Sequence, residues 1–175
     1  VDNALERLKQ KKAIRPLRVI SESRIDNDDI IYNVNLLDNW VNKPDETNSE
    51  NVVNNWINSI ISNIENTTQF REVTKEWKEV LQNKDYPLRK QFVELYKDNV
   101  NLIASTCSIC GSQMFRSVYS KMYKTEDVKF DVVIMDEASK ATPLEMAIPM
   151  VLGKKIILIG DHKQLPPMLD DNSID

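Results

Sequence analysis

The stretch Phe130-Asp131-Val132-Val133-Ile134-Met135-Asp136-Glu137-Ala138-Ser139 decides how this chain folds. Val132 to Met135 is a short, fully apolar run that ends on two adjacent carboxylates. Such a run reads as a strand buried on both faces. Two further apolar runs, Val100 to Ala104 and Ile156 to Ile159, repeat the pattern. Helical segments are expected at Ile109 to Met122 and Pro143 to Val151. Buried strands alternating with helices predict an α/β fold with a parallel sheet. In such sheets the functional groups collect at the carboxyl ends of the strands.

Three strand ends carry polar groups and are expected on one edge of that sheet. The first is Asp136-Glu137-Ala138-Ser139. Two neighbouring carboxylates repel each other unless a cation offsets the charge. In nucleotide hydrolases the Asp anchors magnesium and the Glu polarises the attacking water. The alternative is a strand that ends in a solvated acidic turn. The second end is Gly160-Asp161-His162-Lys163-Gln164, stiffened by Pro166 and Pro167. The neutral amide of Gln164 can hydrogen-bond a terminal phosphate without trapping the product. His162 and Lys163 can touch a phosphate backbone, or form an ordinary turn. The third end is Ser105-Thr106-Cys107. Its hydroxyls can hold a nucleic-acid phosphate, or Ser108 simply caps the following helix, and spacing leaves both readings open.

The two acidic and glutamine-bearing segments together resemble motifs II and III of superfamily 1 helicases. The form Gly160-Asp161-His162-Lys163-Gln164-Leu165-Pro166-Pro167 is similar to the branch that contains the nonsense-mediated-decay RNA helicase and its DNA and RNA relatives. Val1-Asp2-Asn3-Ala4-Leu5-Glu6-Arg7-Leu8 resembles the end of their motif Ia, and Ser105-Thr106-Cys107 their nucleic-acid-contacting segment. The resemblance spans residues 1–35 and 98–169, in order. It implies a partial RecA-like (P-loop NTPase) domain that uses ATP and Mg2+ on single-stranded DNA or RNA. Asp136 would coordinate magnesium and Glu137 would activate water. Gln164, with Gly160 and Asp161, would contact the nucleotide and couple its state to movement. Asn3, Ser105, Thr106 and His162 would lie along the nucleic acid.

The departures from the family pattern bound the expectation. The three glycines, Gly111, Gly153 and Gly160, leave no room for the glycine-rich GxxGxGK[ST] phosphate loop. Motifs of the second RecA-like domain are not found either. The chain starts on Val1 and reads as a piece of a longer protein. By itself it is expected to be inactive, and to need the remainder of its own chain. An uncovered strand edge and apolar sheet face are expected to follow.

The middle of the chain has a different texture. Val52, Val53, Trp56, Ile57, Ile60, Ile61 and Ile64 recur at helical spacing, as do Phe70, Val73, Trp77, Val80 and Leu81. A third helix is expected after Pro87, carrying Leu88, Phe92, Leu95 and Tyr96. Residues 44–97 therefore read as a helical-hairpin insertion, with 1–43 and 98–175 forming the motor domain. Trp56 and Trp77 read as hairpin core rather than base-stacking platforms. The interleaved charges from Glu72 to Lys90 read as a solvated surface. At the amino end, a helix is expected over Asp2 to Lys12 with Asp2 as its cap. A strand over Leu17 to Ile20 follows, then loop or short helix from Ser21 to Asn35.

Composition narrows the function classes. Of 175 residues, 41% are hydrophobic and 29% charged, which supports a folded core. No apolar run spans a membrane and no signal peptide pattern opens the chain, so a cytoplasmic protein, or a nuclear one in a eukaryote, is expected. A net charge of −4 excludes binding nucleic acid by bulk electrostatics but not through a local groove. Cys107 and Cys110 form a lone CxxC beside a single histidine, His162, too few ligands for a zinc site. The pair reads as reduced cysteines. Three functions remain in play. They are an ATP-dependent helicase or translocase, a nucleic-acid-stimulated ATPase that remodels complexes, and a degenerate helicase-like module. The last would bind a protein partner through the helical insertion.

Overall fold

A computed structural model describes residues 2–8, 11, 13–20, 34–43, 51–65, 71–83, 85–161 and 163. His162 and Gln164 lie outside the described residues. The chain divides into two compact units, Asp2–Ala104 and Ser105–Asp175. Both are mixed α/β structures with parallel strand pairs, as a partial RecA-like domain requires. None of the described helices is long and apolar enough to cross a membrane.

The first unit begins with α1 (Asp2–Leu8), which buries Leu5. The helix stops short of the expected Lys12. The strand expected at Leu17 to Ile20 is β1 (Pro16–Arg18), and it pairs in parallel with β2 (Leu102–Ala104). The Asn101 side chain secures the start of this pair: its Oδ1 accepts from the Arg15 amide at 2.8 Å and its Nδ2 donates to the Ala13 carbonyl at 2.9 Å. A helix the spacing analysis does not expect, α2 (Val34–Asn42), buries Leu37, Trp40 and Val41. The positions 34, 37 and 41 keep helical spacing, but the surrounding asparagines mask the signal.

Three helices follow. They are α3 (Val52–Glu65), α4 (Arg71–Gln82) and α5 (Tyr86–Asp98). Asn51 caps α3 by accepting from the Asn54 amide at 2.9 Å. Asp85 caps α5 through the Leu88 amide at 3.1 Å, and Pro87 occupies its first turn, where a missing N–H costs nothing. Phe92, Val93 and Tyr96 of α5 are buried, and the Tyr96 hydroxyl donates to the Pro16 carbonyl at 2.9 Å. Trp56 meets the Tyr96 ring edge-on at 5.6 Å, so it belongs to the core as expected.

Trp77 does not. It is 59% exposed, together with Val73 and Val80 on the same stripe of α4. The helix packs along α3 with Leu81 buried and Thr74 and Lys78 half-buried. Successive residues are about 100° apart around a helix, so the packed stripe lies one residue over from the most apolar one. The charges at Glu72, Lys75, Glu76 and Glu79 are solvated, as expected.

The second unit opens with a short α6 (Cys107–Cys110) and then α7 (Gln113–Tyr123), where one helix is expected from Ile109 to Met122. Ser112 causes the break by accepting from the Phe115 amide at 3.2 Å, starting a new helix. Phe115, Tyr119 and Met122 are buried, and the Tyr119 ring stands edge-on to Phe130 at 5.4 Å. Strand β3 (Phe130–Met135) pairs in parallel with β4 (Gly153–Leu158), in the register Val133 to Ile156 and Met135 to Leu158. Between them lie a 3-10 turn (Ala138–Lys140) and α8 (Pro143–Met150). Thr142 and Glu145 form a reciprocal capping box that starts α8. The strands expected to be buried on both faces are in fact half exposed, with Val132, Ile134, Ile157 and Leu158 open. A pair of strands lacks the flanking layers that burial on both faces requires.

Candidate active site

The carboxyl ends of β3 and β4 lie side by side because the strands are parallel. The ladder continues past both ends. The Ile159 amide donates to the Met135 carbonyl, and the Ala138 amide donates to the Ile159 carbonyl, each at 2.8 Å. These two bonds bracket Asp136 and Glu137 and hold their backbone against the exit of β4.

Glu137 sits in the left-handed region, at φ 56 and ψ 35. For a residue with a Cβ this conformation costs about 1–3 kcal/mol, and such strain collects at functional sites. Among the described residues only Lys124, at the end of α7, shares it. The Asp136 Oδ1 accepts from the Glu137 amide at 3.0 Å, which steadies the turn. Glu137 Oε2 lies 3.2 Å from the Lys140 ammonium, both largely exposed. That ion pair contributes little to stability, but it gives the Glu137 carboxylate a defined direction.

Asp136 and Glu137 are both solvent-exposed. Among the described residues no three metal-ligating side chains cluster. The two exposed carboxylates fit magnesium, which keeps several waters and is held by one or two carboxylates together with substrate phosphates.

The opposing segment starts at Gly160. A Cβ there would meet the Ser139 amide nitrogen at 2.9 Å and the Ala138 nitrogen at 3.3 Å. Only glycine allows so close an approach. Asp161 Oδ1 then accepts from the Lys163 amide at 2.9 Å. So Asp136, Glu137, Gly160 and Asp161 come together at one edge. Asn3 lies on α1 of the other unit.

Ser105 and Thr106 precede α6. The Ser105 side chain is hydrogen-bonded to the Cys110 thiol. Thr106 occupies the cap position but makes no side-chain capping bond. Ser108 falls inside the helix, so the capping role considered for it is not observed. Burial pushes the thiols of Cys107 and Cys110 above their ordinary value, and the Glu145 charge adds to this at Cys107. Raising a thiol in this way lowers the fraction of the nucleophilic thiolate.

Sequence reasoning missed two members of this site. Lys140 faces Glu137 only because the 3-10 turn brings positions three apart onto one side. Ser139 looks like an ordinary turn residue, yet its hydroxyl is buried and has no hydrogen-bond partner among the described residues. The four-residue motif held the signal for its position, but not for its burial.

The chain is similar to known ATP-dependent helicases. The AAA domain family matches residues 1–171. An ATP-dependent helicase of Methanocaldococcus jannaschii is 34% identical over 99 residues, covering 56% of this chain and 13% of that protein. The ATP-dependent helicase NAM7 of Saccharomyces cerevisiae is 33% identical over 88 residues, 46% of this chain and 8% of its own. A regulator of nonsense transcripts 1 homolog from Neurospora crassa is 38% identical over 72 residues, 41% of this chain and 6% of its own. The chain belongs to the AAA domain family and, within it, to the superfamily 1 helicases of the nonsense-mediated-decay-helicase-like branch, of which it carries part of the first RecA-like domain. It spans no more than about one seventh of the length of these relatives.

Proposed function

We propose that this chain is the part of an ATP-dependent helicase or translocase motor that holds magnesium, activates water and senses the γ-phosphate. The carboxylate turn locked against the Gly160 segment carries this reading. Asp136 would hold magnesium, which would supply positive charge to offset that of the nucleotide phosphates. Glu137 would accept a proton from the attacking water, and its left-handed backbone sets where that carboxylate stands. Gln164 would read the terminal phosphate, with Gly160 and Asp161 lining the approach. Single-stranded DNA or RNA would run past Asn3, Ser105, Thr106 and His162. The Thr106 hydroxyl, without a capping bond, supports a contact of this kind.

The phosphate loop must come from elsewhere, because the three glycines cannot build one. The partners are therefore nucleic acid and the remainder of the protein's own chain, in a cytoplasmic or nuclear setting. Residues 44–97 form an insertion in the motor domain, leaving 1–43 and 98–175 as its body. The exposed stripe Val73, Trp77 and Val80 supports a protein partner on that insertion.

The test is ATP hydrolysis by the full-length gene product, with and without single-stranded DNA and RNA, beside Glu137→Gln. Hydrolysis stimulated by nucleic acid and lost in the variant supports the motor. A folded, inactive wild type points instead to the helicase-like binding module. Strand separation then distinguishes a helicase from an ATPase that only remodels complexes.

A further inference from the structure

The close approach of Gly160 and Ser139 has more in it than a tight turn. The Ser139 Oγ is 3.4 Å from where a Gly160 Cβ would stand, and it is buried with no hydrogen-bond partner among the described residues. A buried hydroxyl left unpaired is costly, and native structures keep few of them without a reason. The amides of its neighbours on the same turn are both used. The Ala138 amide donates to Ile159, and the Lys140 amide donates to Glu137. Among the described residues of this turn, the Ser139 hydroxyl keeps an unused donor and acceptor, at the contact between the carboxylate turn and the segment that leads to Asp161.

We propose that Ser139 is a positioning residue for hydrolysis: its hydroxyl takes a hydrogen bond from or to the backbone of the Gly160–Asp161 segment during the ATP cycle and so ties that segment to Glu137. This rests on the ATPase reading of the same site. Ser139 touches neither nucleotide nor water. It acts by fixing the distance between the residue that activates water and the segment that answers to the phosphate. Glycine at 160 is the complementary half of the device, since any side chain there would push the segment off the hydroxyl. Two neutral groups meeting at a buried contact make a bond that can form and break without moving charge.

The experiment uses the full-length gene product and compares wild type, Ser139→Ala, Ser139→Thr and Gly160→Ala. It measures kcat and KM for ATP, the melting temperature, and amide hydrogen exchange over residues 135–161. Ser139→Ala is expected to lower kcat about fivefold, the size of one neutral hydrogen bond. KM and melting temperature should stay at wild-type values, and exchange at Gly160 and Asp161 should quicken. Ser139→Thr, which keeps the hydroxyl, should restore most of kcat. Gly160→Ala should lower kcat with Ser139 intact. An active wild type with kcat unchanged in Ser139→Ala overturns the role of Ser139 alone. So does a loss that follows the melting temperature and is not rescued by threonine, because that is a packing effect. A wild type without ATPase activity overturns the ATPase reading and the positioning role with it.

Discussion

The two parallel strand pairs make opposite use of similar material. In β1–β2 three residues per strand suffice, and Pro16, Leu17 and Arg18 are all buried. In β3–β4 the strands are twice as long and richer in isoleucine and valine, yet Ile134 is 58% and Ile157 46% exposed. The difference lies in what lies over each pair. The Tyr96 hydroxyl bonds to Pro16, and the rings of Tyr96 and Trp56 extend that core. The β3–β4 pair is covered mainly at its start, where Phe115 and Tyr119 meet Phe130. Its other end is given to polar turns. Strand burial is thus a property of the neighbouring layers, and the pair at which the candidate site lies is the less covered one.

Several measurements would break or sharpen this contrast. The largest effect is expected at the chemical end of β3: Glu137→Gln in the full-length product should lower kcat for ATP about 10²–10⁴-fold, as loss of a positioned general base does. Unchanged hydrolysis would remove the active site from this edge. Next come matched truncations in the two pairs. Leu17→Ala should cost about 2–5 kcal/mol in urea denaturation, because a fully buried side chain leaves a cavity. Ile134→Ala should cost about 1 kcal/mol or less, the range for a half-exposed strand position. Equal costs would mean that β3–β4 is covered in solution.

Tyr96→Phe tests the cover of β1 more finely. It leaves the Pro16 carbonyl buried and unpaired, and about 1–3 kcal/mol of destabilisation is expected, read as a shift in urea midpoint. The smallest effect belongs to the exposed cross-strand ion pair Asp131–Lys154, 2.8 Å apart at the start of β3–β4. The lysine's hydrogen bond and charge hold the Asp131 carboxyl below its ordinary value, and Asp131 in turn raises the Lys154 ammonium. The aspartate contribution is therefore present above the ordinary carboxylate range and lost as pH falls through the lowered value. The lysine contribution is present below the ordinary lysine value and lost as pH rises through the raised one. Asp131→Asn should produce a small drop in urea midpoint at neutral pH and low salt, and none in molar salt, where such pairs are screened.

Much of the candidate site is legible in the residues themselves. Asp136 and Glu137 end an apolar run, and Gly160 and Asp161 end the next, so a parallel sheet must bring them to one edge. The helical stretch is also legible, since Asp85 with Pro87 and the spacing of Phe92 and Tyr96 mark α5. Helix α2 escapes because its buried Leu37, Trp40 and Val41 are set among asparagines. The break at Ser112 escapes because one side-chain hydrogen bond decides it.

The sequence by itself determined the α/β class, the helicase family and the order in which chemical groups reach the strand ends. Those properties follow from local periodicity and from short motifs read along the chain. Only the tertiary structure decided that α4 buries Leu81 and leaves Trp77 outside, that Glu137 takes a left-handed backbone, and that Gly160 rests against Ser139 with its hydroxyl unpaired. Each of these depends on which surfaces meet, and a choice between adjacent helix stripes or between turn conformers is made by the partner, not by the residue.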